Sequence, residues 1–292
     1  MTWFLYTLIA IVAWAISDLL DKHVMSRETR DPILVTTVFG MVACLIFLAV
    51  AVVFGGSVLV SLPTIGAALA AGLCYSLALF LYYKVMRSEE LSSFVTILAT
   101  EPLVVALLAM VFFAEKLSWF GYLGIFAICA GAVLISHKKN ENKVEKHLHV
   151  LAFGSMAAFA GRNLFMRFAT GQTEYFTAIF WFAFGGLIIP LIFLIFHHPH
   201  LRAKAKQSIR HVAVSAIFSA LGLLCFMKAI STGTVALPSA LLATKPLLIF
   251  ALVTILSFFH SKFISEPLRG QVLIKKIVAI VLIMVGSFLI TW

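Results

Sequence analysis

The chain is predicted to be an all-α integral membrane protein whose ten transmembrane helices form two inverted five-helix repeats. Three observations carry that prediction. Of its 292 residues, 62% are hydrophobic and only 12% charged, about half the charged share of an ordinary soluble domain. Apolar stretches of about 20 residues, the length that crosses a bilayer with every peptide group paired inside a helix, follow one another along nearly the whole chain. Finally, the segment LATEPL, Leu98 to Leu103, returns as LATKPL, Leu242 to Leu247. Each copy lies within an apolar stretch and sets an ionisable residue beside a proline.

Apolar runs read against polar punctuation put spans at 3–24, 32–54, 64–86, 91–113 and 118–136. The second set falls at 148–169, 174–196, 211–230, 236–259 and 272–291. The first span carries Ala13 and Ala15, which resemble a cleavage site, but it lacks a basic segment before it and has a counterpart in the second half, so it reads as a retained helix. The run Gly55 to Pro63 is apolar enough to blur the end of the second span. In the fourth and ninth spans, Pro102 and Pro246 each remove a backbone donor and crowd the carbonyl one turn earlier, which predicts a kink or hinge beside the charged residue. The domain reading is one repeat over 1–139, a solvated connector over 140–147 and a second repeat over 148–292.

Charge placement fits a membrane protein better than a nucleic-acid binder, although the net charge is +10. Of the 22 Lys and Arg residues, seventeen lie in loops after odd-numbered spans, three (Lys116, Arg167 and Lys228) on the opposite face, and Arg162 and Lys245 within spans. The positive-inside rule then puts the odd-numbered connections in the cytoplasm and both termini outside an inner cell membrane. Cys44, Cys74, Cys129 and Cys225 all fall in spans without metal-ligand spacing, so neither metal nor cofactor is expected from them. His197, His198 and His200, at the end of a span, read as part of a cationic loop against anionic lipid rather than as a metal site. No phosphate-binding loop or nucleophile motif is present, which argues against ATP coupling within the chain and against an enzyme.

The two halves agree in order. AWAISDLLDK, Ala13 to Lys22, aligns with AFAGRNLFMR, Ala158 to Arg167, matching Asp18 with Asn163. Lys84 matches Lys228, Glu101 matches Lys245, Gly131 fits Gly286, and Glu115 meets Glu266 only across an insertion. With five spans per half, consecutive halves enter the membrane from opposite faces, which makes the repeat inverted about an axis in the membrane plane.

The stretch from Tyr82 to Ile135 has an aromatic-rich end to the third span, a central Glu-Pro, an acid-basic-Leu-Ser turn and a Gly-spaced fifth span. On these features it resembles the drug/metabolite transporter superfamily, in particular its EamA-like branch. The resemblance is weaker in the second half, where Lys245 stands in place of the acid. What it implies is a ten-helix carrier, not driven by ATP, that exports or exchanges small metabolites or drugs by alternating access. Its substrate path would run between the halves along the first, third, fourth, sixth, eighth and ninth helices. Relatives commonly keep both termini in the cytoplasm, opposite to the charge count here.

Charges at membrane depth cost about 2.5–3.5 kcal/mol each even on the lenient insertion scale, so Glu101, Lys245, Asp18 and Arg162 must face partners, water or substrate. One reading pairs Glu101 with Lys245 near the midplane, as a coupling pair or as the two ends of a zwitterion site; the other makes them a static ion pair. Asp18, which shares a helical face with Trp14, Asp21 and Lys22, can pair with Lys22 one turn on, and its counterpart Asn163 cannot titrate. Arg162 and Lys245 could clamp an anionic group, or Arg162 could partner Asp18 or Glu101. Tyr75 offers a face and a hydroxyl to substrate, whereas Tyr82 and Tyr83 suit an interfacial belt. The expected function is secondary transport across the plasma membrane, coupled to protons or counter-substrate, by a monomer or weak homodimer. A lipid-processing membrane enzyme and a non-transporting scaffold or sensor are the alternatives.

Overall fold

The computed structural model describes residues 2–87, 97–98, 100–136, 146–197, 205–232, 234–242, 244–245, 247–249, 252 and 271–289. Among these the chain is helical, without strands. In order the helices are α1 Thr2–His23, α2 Pro32–Val53, α3 Leu62–Met86, α4 Glu101–Phe113, α5 Trp119–Ser136, α6 Lys146–Gln172, α7 Tyr175–His197, α8 Ala205–Ser231, α9 Ala236–Leu242 and α10 Gln271–Leu289. A π-helical turn, Val24–Glu28, extends α1.

By length and composition, five described helical segments can cross a membrane: Thr2–Glu28, Pro32–Val53, Leu62–Met86, Tyr175–His197 and Gln207–Ser231. α6 is as long but carries Arg162, Asn163 and Arg167 and is not among them. Large apolar side chains such as Leu5, Val111, Phe126 and Phe196 face outward, as contact with lipid tails requires. The chain is a multi-pass membrane protein.

Local chemistry sets several helix ends. Asp31 caps α2, its Oδ1 accepting from the backbone N–H of Ile33 at 3.0 Å and Leu34 at 3.3 Å. Pro32 occupies the first turn, where no N–H is missed. The same logic corrects one expectation. Pro102 does not kink a continuous helix but sits in the first turn of α4, directly after the break at Thr100. Pro246 lies outside the described residues.

The break has the same form in both LAT segments. Thr100 N–H donates to Ile97 O and Leu103 N–H to Thr100 O, at 3.0 and 3.1 Å; Thr244 N–H donates to Leu241 O and Leu247 N–H to Thr244 O, both at 3.0 Å. Each is a pair of tight three-residue turns beside the charged residue.

At the other end of α4, Ala114 adopts a left-handed conformation with φ 50°, the terminator geometry usually given to glycine. Glu115, next in sequence, then reaches the start of α9. Both its carboxylate oxygens accept from Val235 N–H at 3.1 Å, and Arg167 Nε lies 3.4 Å away. Glu115→Ala is expected to cost about 1 kcal/mol or more, the usual loss of a helix cap. Thermal unfolding in detergent checks this, with Glu115→Gln falling between wild type and Ala.

Most helix packing crosses between the halves. α3 packs on α6 and α7, α1 on α8 and α9, α2 on α7 and α8, α4 on α9 and α6, and α10 on α5. With lipid on the outside, apolar burial gives little net drive, so close contact between backbones supplies the attraction. Gly72 on α3 and Gly185 on α7 are the extreme case, since a Cβ on either would stand 2.0 Å from Phe182 O or 2.1 Å from Leu69 O. On the α5–α10 seam, a Cβ at Gly131 would meet Ile283 and Ala279 O, while one at Gly286 would meet Ile128 and Gly124 O.

Candidate functional site

The charged residues at membrane depth converge where α1, α4, α6 and the segment after α9 meet. Lys245 Nζ lies 2.7 Å from Asp18 Oδ2, with the two side chains 27% and 23% exposed. This corrects two expectations: the ion-pair partner of Lys245 is Asp18, not Glu101, and Asp18 does not turn to Lys22, which is exposed.

Glu101 is held by an amide. Asn163 Nδ2 donates to Glu101 Oε1 at 3.0 Å, and Asn163 Oδ1 accepts from Arg162 Nε and Nη2 at 2.9 and 2.8 Å. The Arg162 guanidinium, buried, stands 5.0 Å from the ring centroid of Phe159, 5.8 Å from Trp14 and 5.9 Å from Phe226. Such aromatic faces stabilise a desolvated cation. Arg162 therefore compensates Glu101 through Asn163 and does not share a clamp with Lys245.

Trp14 completes the wall. Its Nε1 donates to Ser219 Oγ at 3.2 Å, and its ring lies against Phe226 at 5.4 Å. Tyr75 is buried between Phe47 and Phe182, so the face expected to meet substrate is covered in this conformation. His197 is exposed with its ring beside Phe193; His198 and His200 are outside the described residues.

A second acid escaped the sequence reading as a site residue. Asp21 is 3% exposed; its Oδ2 accepts from Tyr83 Oη at 2.9 Å and its Oδ1 from Ser215 Oγ at 2.6 Å. Ser17 Oγ lies 2.8 Å from Ser215 Oγ. Tyr83 is fully buried, which overturns its assignment to an interfacial belt. The signal available in sequence was the helical spacing of Asp18 and Asp21, which puts both acids on the inner face of α1.

Chemically, the site holds two contacts of one plan. Asp18 and Asn163 are equivalent positions in the aligned halves, as are Lys245 and Glu101. α1 thus bonds the residue before Pro246 as an ion pair, and α6 bonds the residue before Pro102 through an amide–carboxylate hydrogen bond.

No curated protein matches the chain. A solved protein described only as "Crystal structure of protein" shares 16% identity, with a TM-score of 0.74 over 99% of this chain and 96% of its own. At that identity the likeness concerns the fold alone. The EamA-like transporter family model matches residues 1–137. Over that segment the chain is similar to the EamA-like transporter family, which is consistent with the drug/metabolite transporter superfamily.

Proposed function

We propose that the chain is a secondary active transporter, an exporter or exchanger, that carries a small polar or amphipathic metabolite or drug across the plasma membrane by alternating access. The observation that carries this is the pair of equivalent contacts, Asp18 with Lys245 and Asn163 with Glu101. Both join one half to the other beside a broken helix, where a carrier with repeated architecture keeps its site.

The wider packing supports two inverted five-helix repeats. Exchanging the halves turns α1·α8 into α6·α3, α2·α8 into α7·α3 and α1·α9 into α6·α4, and every one of these pairs packs. The seam between α5 and α10 obeys the same exchange residue by residue, Gly131 against Ile283 answering Gly286 against Ile128. Mutual contacts of this kind are what a two-fold relation would produce. Ten spans in total follow if each described helix crosses.

Charge at the site bears on the substrate. Lys245 is compensated by Asp18, which weakens the case for an anionic ligand and favours a polar or zwitterionic molecule that competes for both members of the pair. Energy comes from a proton or counter-substrate gradient. Counterflow into liposomes tests the proposal. Glu101→Gln and Lys245→Met should each lose flux while remaining folded; undiminished flux in both removes these residues from the mechanism. A reporter fused after Trp292 reads the side of the membrane on which that end lies, for which the charge count favours the outside.

A further inference from the structure

Away from the central site, the end of α1 and the start of α8 bring three metal-ligating side chains together. His23 Nε2 lies 3.4 Å from Glu28 Oε1, and His211 Nδ1 lies 2.5 Å from the same oxygen. The three ligand atoms all fall within 4.8 Å of one another. The imidazole rings stand edge to face with centroids 6.1 Å apart.

The π-helical turn makes this possible. In an α-helix, residues 23 and 28 would point roughly 140° apart. The Val24–Glu28 turn, closed by Thr29 N–H donating to Val24 O at 2.9 Å, widens the coil and swings Glu28 under His23. Single π-turns of this sort concentrate at functional sites because they cost regular hydrogen bonding.

A plain His–carboxylate bond would need one imidazole. Here two are aimed at one carboxylate oxygen, while Glu28 Oε2 is buried with no hydrogen-bond partner among the described residues. We infer that His23, Glu28 and His211 form a binding site for a divalent transition-metal ion, with Zn²⁺ the best match. Two imidazoles and one carboxylate are a zinc donor set that leaves a fourth position for water, and imidazole ligation disfavours Mg²⁺ and Ca²⁺. Ligands of a tetrahedral Zn²⁺ at about 2.0–2.1 Å stand roughly 3.4 Å apart, so the His23–Glu28 distance already fits and the His211–Glu28 distance must open by about an ångström. The ion would tie α1 to α8, one helix from each half.

The experiment is titration of the purified, untagged full chain in detergent with ZnCl₂, read by competition against a chromogenic chelator. Wild type should bind one ion per chain and gain thermal stability with it. His211→Ala and Glu28→Gln should each weaken binding at least tenfold, whereas His197→Ala, an exposed histidine elsewhere, should leave it unchanged. Absence of stoichiometric binding to wild type, or binding undiminished in the His23→Ala/His211→Ala double variant, overturns the site. If those variants do not fold, Co²⁺ bound to wild type decides. The intense visible absorption of tetrahedral Co²⁺ supports the site, and the pale spectrum of octahedral Co²⁺ rejects it. None of these readouts depends on transport, so the outcome is separate from the proposed function.

Discussion

Arg162→Met is expected to be the most damaging single change to the central site, costing about 3 kcal/mol or more. The reason is the charge it leaves behind. Arg162 is buried among Trp14, Phe159 and Phe226 and braces Asn163, whose amide holds Glu101. Without the guanidinium, Glu101 keeps one amide donor and loses the stronger of its two cationic neighbours, Lys245 being the other. Breaking a buried charge pair from one side typically costs about 3–5 kcal/mol. Arg162→Lys should recover little, because an ammonium group cannot reproduce the two parallel N–H bonds to Asn163 Oδ1. Glu101→Gln in the Arg162→Met background should restore a large part of the loss. A double-mutant cycle on thermal or denaturant unfolding in detergent measures this, and strictly additive losses would falsify the coupling.

The partnerships were only half legible in sequence. Repetition of LATEPL as LATKPL, together with five spans per half, pointed to Glu101 and Lys245 as related positions. Opposite charge then made it natural to pair them. An inverted repeat would argue otherwise, since two residues equivalent under it touch only where the axis passes between them. Their actual partners, Asp18 and Asn163, are themselves equivalent positions, and the alignment of Ala13–Lys22 with Ala158–Arg167 already contained that information. Aromatic residues near a span end suit the interface by composition, and only the position of Asp21 on α1 shows that the Tyr83 hydroxyl, on α3, is needed inside. Nothing in the spacing of His23, Glu28 and His211 announces a cluster, since it depends on one π-turn and a contact across 183 residues.

Gly185→Ala should produce the second large effect, a drop in stability of about 2–3 kcal/mol, with Gly72→Ala behaving alike. A single methyl at either position would enter the opposite backbone at 2.1 or 2.0 Å. No rotamer relieves a clash with a carbonyl oxygen, so α3 and α7 must move apart and lose contacts along their length, the usual cost of overpacking. Gly66→Ala is the internal control. It lies on α3, as Gly72 does, with nothing within 4 Å of the added carbon, and there alanine's better helix propensity should leave stability unchanged or raise it by up to about 1 kcal/mol. Melting followed by size-exclusion chromatography compares the three. Equal behaviour of Gly66→Ala and Gly185→Ala would show that the close approach is not maintained in the membrane protein in solution.

The two Asp18–Lys245 and Asn163–Glu101 contacts are mates in position but not in chemistry. One is a partly exposed ion pair and the other a buried neutral amide on a carboxylate. If each contact fastens a different mouth of a rocking carrier, the fasteners have unequal strength, and a difference of about 1.4 kcal/mol already skews the resting orientation tenfold. Gene-level doubling would then have delivered a balanced seesaw, and divergence at positions 18/163 and 101/245 would have weighted one end. Directionality would be written in four side chains, with the rest of the scaffold indifferent to it.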